Sequence, residues 1–118
     1  MSERYEVEVV SADEYGAWRD SFKLVSEPMR AAHDYAQEYG KVKGAWGPNA
    51  FHWTCPGCGQ PYSAVIGDNP VSGWENPRWV NSGTEDKPTL TPSLGCSLWR
   101  SGQCYGHWWL RGGWLERA

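Results

Sequence analysis

Two closely spaced pairs carry the clearest chemistry in this sequence: Cys55-Pro-Gly-Cys58, followed by Gly59, and Cys104-Tyr-Gly-His107. Two thiolates separated by two residues reach one tetrahedral ion only where the backbone curls tightly. Pro56, Gly57 and Gly59 permit that curl and leave amides free to face the sulfurs. The second pair repeats the spacing with an internal glycine, so Cys55, Cys58, Cys104 and His107 are expected to hold one structural zinc ion as a Cys3His set. Cys96 and His52 compete with His107 for the fourth position. Cys96 reads first as a small core residue inside an apparent strand, Leu94 to Trp99, and His52 as a strand residue facing away.

Four protein ligands leave no open coordination position, which a catalytic zinc requires for water or substrate. The nucleobase deaminase pattern also fails, because the upstream histidine reads His33-Asp34-Tyr35, with tyrosine where that chemistry needs a proton-transferring glutamate. A thioredoxin-like redox pair would open a helix, yet Gly59 and Pro61 follow Cys58. Two disulfides would need an oxidising compartment. The start, Met1-Ser-Glu-Arg-Tyr-Glu-Val-Glu, has no signal-peptide pattern, and no apolar run is long enough to span a membrane. A cytoplasmic location is therefore expected, and the thiols point to metal.

Nine Trp and six Tyr against two Phe replace branched aliphatics with large rings that each carry a polar atom. Some should line a groove or interface, and Trp74, Trp79, Trp99 and Trp109 are the expected partner-binding residues. Trp108 and Trp109 are adjacent, so in a strand they must face opposite sides. The net charge of −3 comes from the first part of the chain, and no broad basic field supports nucleic-acid binding.

These groups need elements to place them. Glu6 to Val10 alternates as a strand. Ser11 and Glu14 stand at capping-box spacing before a helix expected over Ala12 to Phe22. Ser26-Glu27-Pro28 opens a second helix, which Gly40 closes. From Lys41 the texture turns to Gly, Pro and Trp, with strands expected over Ala50 to Thr54, Tyr62 to Ile66, Arg78 to Val80, Ser93 to Trp99 and Tyr105 to Leu110. Arg111-Gly-Gly-Trp114 supplies a hairpin. The expected fold class is α+β: an N-terminal strand and two helices over residues 1–45, packing on or appended to a small antiparallel β module over residues 46–118. A zinc-ribbon-like site staples that module. Structural zinc contributes on the order of 10 kcal/mol to the folding of such small units.

Three blocks in order, Cys55-Pro-Gly-Cys-Gly59, Trp79 through Lys87-Pro-Thr-Leu-Thr-Pro-Ser-Leu94, and Cys104-Tyr-Gly-His-Trp-Trp-Leu-Arg-Gly-Gly-Trp-Leu115, resemble a family of small phage and prophage proteins of unknown function. Some of its members are mislabelled as ammonia monooxygenase. The resemblance covers roughly residues 50–115 and implies a phage or prophage origin and a β-rich zinc fold, with no reaction attached. Many members place a histidine directly after the third cysteine, where this chain has Tyr105. Within the second block, Pro88-Thr-Leu-Thr-Pro92-Ser93 reads as a rigid turn ahead of a site.

The function expected from these features is a non-catalytic, zinc-stabilised protein-binding module. The resemblance suggests a host or phage protein as partner, such as a host defence or regulatory factor. Single-stranded nucleic-acid binding through exposed rings beside Arg78, Arg100 and Arg111 is the alternative. A hydrolase ranks last, because His33, His52, Asp68, Glu75, Glu85 and Asp86 show no motif spacing.

Overall fold

The computed structural model describes residues 3–67, 79–96, 102–104 and 106–118. Its first strand, β1 (Arg4–Val10), buries Tyr5 and Val7 on one side. Ser11 then caps α1 (Ala12–Phe22) by accepting the Glu14 amide proton at 3.1 Å, and this helix buries Tyr15, Trp18 and Phe22. Pro28 opens α2 (Pro28–Tyr39), and Gly40, at φ 65°, closes it in the left-handed conformation that glycine takes without strain. Ala32 and Ala36 on α2 are fully buried and allow close packing.

The chain leaves Gly40 directly into β2 (Lys41–Trp46), which pairs parallel with β1, Val7 opposite Val42. The two helices therefore form the crossover between two parallel strands. Next come β3 (Ala50–Thr54), β4 (Pro61–Val65), β5 (Val80–Asn81), β6 (Leu90–Gly95), β7 (His107–Arg111) and β8 (Trp114–Arg117). Gly112 and Gly113 turn the β7–β8 hairpin at φ 58° and 84°.

All eight strands belong to one sheet, in the order β4-β3-β2-β1-β8-β7-β6-β5. An isolated parallel bridge, Ile66 to Trp79, joins its two edges: the Trp79 amide donates to the Val65 carbonyl at 2.9 Å and the Gly67 amide to the Trp79 carbonyl at 3.0 Å. The result is a curled, mixed half-barrel with two helices. This corrects the expected fold class. Among the described residues the sheet is mixed and is not clearly a small antiparallel module, because β1 lies at its centre, parallel to β2 and antiparallel to β8. The reason is β2. Its Gly44 resembles a turn residue in sequence, but a side chain there would meet the Phe51 ring at 2.8 Å and Val7 at 3.0 Å. The glycine serves close packing inside a strand. Trp53, Phe51, Trp108, Leu110 and Leu115 form the centre of the core. Among the described residues no helix is long and apolar enough to cross a membrane.

Candidate active site and four-cysteine cluster

The knuckle is built as a tight turn between β3 and β4. The Gly59 amide donates to the Cys55 carbonyl at 2.7 Å and the Cys55 amide to the Gln60 carbonyl at 3.0 Å. Both helices hold it from outside. Arg19 on α1 donates to the Gly59 carbonyl at 2.9 Å, and His33 on α2 donates its Nδ1 proton to the Pro56 carbonyl at 2.8 Å. Gly59 has φ 76°, and a Cβ there would collide with the Met29 carbonyl.

Opposite the knuckle, Cys96 follows β6 and Cys104 precedes β7. The sulfurs of Cys55, Cys58, Cys96 and Cys104 all lie within 4.8 Å of one another, and all four are free thiols. Cys55 and Cys104 are 3.8 Å apart, close to the ~3.8 Å edge of a tetrahedron with Zn–S bonds of ~2.3 Å. Four such groups could hold a metal ion such as zinc.

His107 and His52 lie outside this group. The cause is local. Gly106 faces the sulfurs so closely that a Cβ would stand 2.5 Å from Cys55 Sγ, 2.9 Å from Cys96 Sγ and 3.0 Å from Cys104 Sγ. Its amide donates to Cys104 Sγ at 3.2 Å. With Gly106 turned toward the cluster, the next strand residue, His107, turns to the opposite side.

Cys55, Cys58 and Cys104 divide their charge unevenly. A hydrogen bond from Cys55 holds the Cys58 thiol down to about 5, against its own burial. The same bond, followed by burial, pushes Cys55 far up, and burial ahead of a hydrogen bond with Cys96 raises Cys104 to about 12. Adjacent buried thiolates repel one another and lose hydration. A divalent cation removes that conflict, so the donor set fits a metal chemically as well as geometrically.

Freed from the cluster, His107 meets a different partner. Its Nε2 lies 2.6 Å from Ser93 Oγ. Leu90 and Leu94 on β6 are buried, so Ser93 projects to the other side of the strand. There the β6–β7 register, Leu94 opposite Trp108 and Gly95 opposite His107, brings the hydroxyl diagonally against the imidazole. Two further bonds fix this end of the sheet. The Cys96 amide donates to the Gly106 carbonyl at 2.9 Å, and the Trp79 indole N–H donates to the Ser93 carbonyl at 3.2 Å. A serine hydroxyl on the Nε2 of a histidine is the arrangement of a base-activated nucleophile.

The other expected site residues disperse. Trp79 packs half-buried against the core beside Ser93. Trp109 is half-buried under Arg111, whose guanidinium lies 4.8 Å from the ring centre, while Trp108 is wholly buried on the opposite side. Trp74 and Trp99 lie outside the described residues, as do Asp68 and Glu75. Glu85 and Asp86 are exposed. His52 Nδ1 lies 2.7 Å from Ser63 Oγ, a second serine–histidine pair in a more exposed setting.

Fold and site thus define a small β-rich domain with a four-thiol cluster, three of its cysteines buried and Cys58 half-buried, beside a serine–histidine pair. A family model described as the bacterial ubiquitination-like system serine protease, BubE, matches residues 26–118, and the chain belongs to that family. No curated protein and no solved structure matches it. The match bears out the resemblance in part: the family is a small bacterial or phage-associated one, and its description names a reaction that the resemblance did not carry. It also overturns two expectations. The chain is not accounted for as a phage protein-binding module directed at a host factor, nor as a non-enzyme, because its family is described as a serine protease. The block that holds Ser93 reads in sequence as a turn ahead of a site because of its two prolines. Assigning Cys96 to the cluster would have released His107 as a base, and that was the available signal.

Proposed function

We propose that this chain is a serine hydrolase that cleaves an amide bond of a polypeptide within a ubiquitination-like system, with Ser93 as nucleophile and His107 as general base. The observation that carries the reading is the 2.6 Å contact between Ser93 Oγ and His107 Nε2, in a chain whose family is described as a serine protease. In the first half-reaction Ser93 Oγ bonds to the substrate carbonyl carbon while His107 takes the hydroxyl proton. His107 then returns that proton to the departing amine as the C–N bond breaks, leaving an acyl ester on Ser93. Water then attacks the ester carbonyl as His107 takes one of its protons, and His107 passes that proton to Ser93 Oγ as the ester C–O bond breaks and the carboxylic acid product leaves.

Cys55, Cys58, Cys96 and Cys104 would hold a zinc ion as a closed, structural tetrahedron, which supplies a crosslink between the β3–β4 turn and the ends of β6 and β7. Cys96 and Gly106 tie that crosslink to the strands bearing Ser93 and His107.

The test is covalent labelling of the whole protein with a small fluorophosphonate, followed by peptide mass spectrometry. Adduct on Ser93, lost in His107→Ala, is the expected result. Absence of adduct, or adduct at Ser63 alone, overturns the assignment.

A further inference from the structure

Strand alternation decides from which side a substrate reaches Ser93. On β7, His107, Trp109 and Arg111 alternate with the fully buried Trp108 and Leu110, so the first three share the outer face. On β8, Trp114 and Glu116 flank buried Leu115. Arg111 stands opposite Trp114, and Trp109 opposite Glu116. The pair formed by Ser93 and His107 therefore continues into a strip of two half-buried indoles, each under a guanidinium: Arg111 lies 4.8 Å from the Trp109 ring centre and Arg4 4.5 Å from that of Trp114.

The strip also has the spacing of its ligand. His107, Trp109 and Arg111 recur every two strand residues, about 6.8 Å apart, and an extended peptide repeats its same-side chains at that interval. The two cations differ. Arg4 has Glu116 at 3.8 Å, whereas among the described residues exposed Arg111 has no carboxylate partner and touches only the Trp109 ring. A rigid indole offers apolar area at small entropic cost, and the neighbouring guanidinium offers a fork for a carboxylate.

We infer that this outer face is the substrate-binding surface, and that it takes an extended polypeptide with an apolar side chain two residues from the cleaved bond, on Trp109, and an acidic side chain four residues from it, at Arg111. The inference rests on the Ser93–His107 reading, because positions along the strip are counted from His107.

The test uses internally quenched peptides in which the residues two and four positions from the cleaved bond are varied singly on either side. In the wild-type chain, Leu→Gly at one of the two-residue positions should lower kcat/KM about tenfold, the range expected of one apolar side chain in its subsite. In Trp109→Ala that ratio should collapse toward one, and Trp109→Phe should restore most of it. Arg111→Gln should remove a preference for Glu over Gln at the four-residue position and leave the leucine preference in place. Equal melting temperature and metal content show that the variants are folded. A leucine preference unchanged in Trp109→Ala, or all peptides slowed alike, overturns the inference while fluorophosphonate still labels Ser93. Failure of that labelling in the wild type overturns the reading and the inference together.

Discussion

Two serine–histidine pairs of nearly equal length sit in one small sheet, and only one has the surroundings of a catalytic group. Ser63 and His52 face each other directly across β3 and β4, 2.7 Å apart and exposed. The hydroxyl meets Nδ1, the ring nitrogen nearest the histidine's own backbone. The other nitrogen, Nε2, lies against Gly47, 2.6 Å from where a Cβ would stand. Ser93 and His107 meet diagonally, part-buried, through Nε2, the nitrogen that serves the nucleophile in serine hydrolases. Their backbones are pinned by the Cys96–Gly106 bond and the Trp79 indole. A short hydrogen bond is common between neighbouring polar residues on a strand pair. What separates a site from a contact is which nitrogen is used and what holds the partners still.

The largest expected effect tests that contrast. Ser93→Ala and His107→Ala should each lower kcat by about 10³-fold or more, and the double variant should lose little beyond either, since the two groups act as a unit. Ser63→Ala and His52→Ala should stay within about twofold, as surface substitutions away from a site do. Steady-state hydrolysis of a peptide substrate measures all five. A large loss in Ser63→Ala would reverse the comparison.

The second expectation concerns the metal. Zinc analysis should find one ion per chain in the wild type and in His107→Ala, and none in Cys96→Ser. Removal by a strong chelator should lower the melting temperature by at least about 10 °C, given the contribution of structural zinc to a domain of this size. Retained zinc in Cys96→Ser with loss in His107→Ala would restore the Cys3His set and remove the base from the dyad. A smaller version of the same perturbation is Gly106→Ala. Its Cβ would press on three sulfurs at 2.5 to 3.0 Å, and the strain should destabilise the fold by about 1 to 3 kcal/mol, measured by denaturant unfolding.

How much of this the residues announce depends on the range of the interaction. Helix α1, the Gly40 stop and the Gly112–Gly113 turn are local chemistry and were legible: a cap, a left-handed glycine and a primed turn each act within a few residues. Cys55, Cys58 and Cys104 were recognisable as candidates from spacing. Cys96 was legible only as a competitor for the fourth position, because membership of the cluster depends on Gly106 facing the sulfurs just before β7 begins. The block with Ser93 reads as a turn because of Pro92, yet among the described residues β5 pairs with β6 at Leu90 and Thr91. The proline therefore sits beyond that ladder, beside a register irregularity between Leu90 and Leu94, where a missing N–H costs little. The parallel pairing of β1 with β2 was invisible for the same kind of reason. It joins strands separated by both helices, and the glycine that permits it looks like punctuation.

The smallest expected effect isolates what holds the nucleophile. Trp79 bonds through its backbone to Val65 and Gly67 on the far edge of the sheet, and through its indole to the carbonyl of Ser93. Closure of the curled sheet is thus connected to the proposed nucleophile. Trp79→Phe keeps an aromatic ring and removes the N–H, so a part-buried carbonyl loses its donor at a cost of about 1 kcal/mol. If that bond only stabilises the fold, the melting temperature falls and kinetics at a temperature well below it are unchanged. If it positions Ser93, kcat should fall about fivefold with KM unaltered, because the lost restraint matters when the hydroxyl must meet the carbonyl. The matching change in the exposed pair, Tyr15→Phe, removes a hydroxyl that bonds the Trp53 carbonyl at 3.1 Å and whose ring stacks near His52. It should leave kcat untouched, and an equal loss there would erase the distinction between the two pairs.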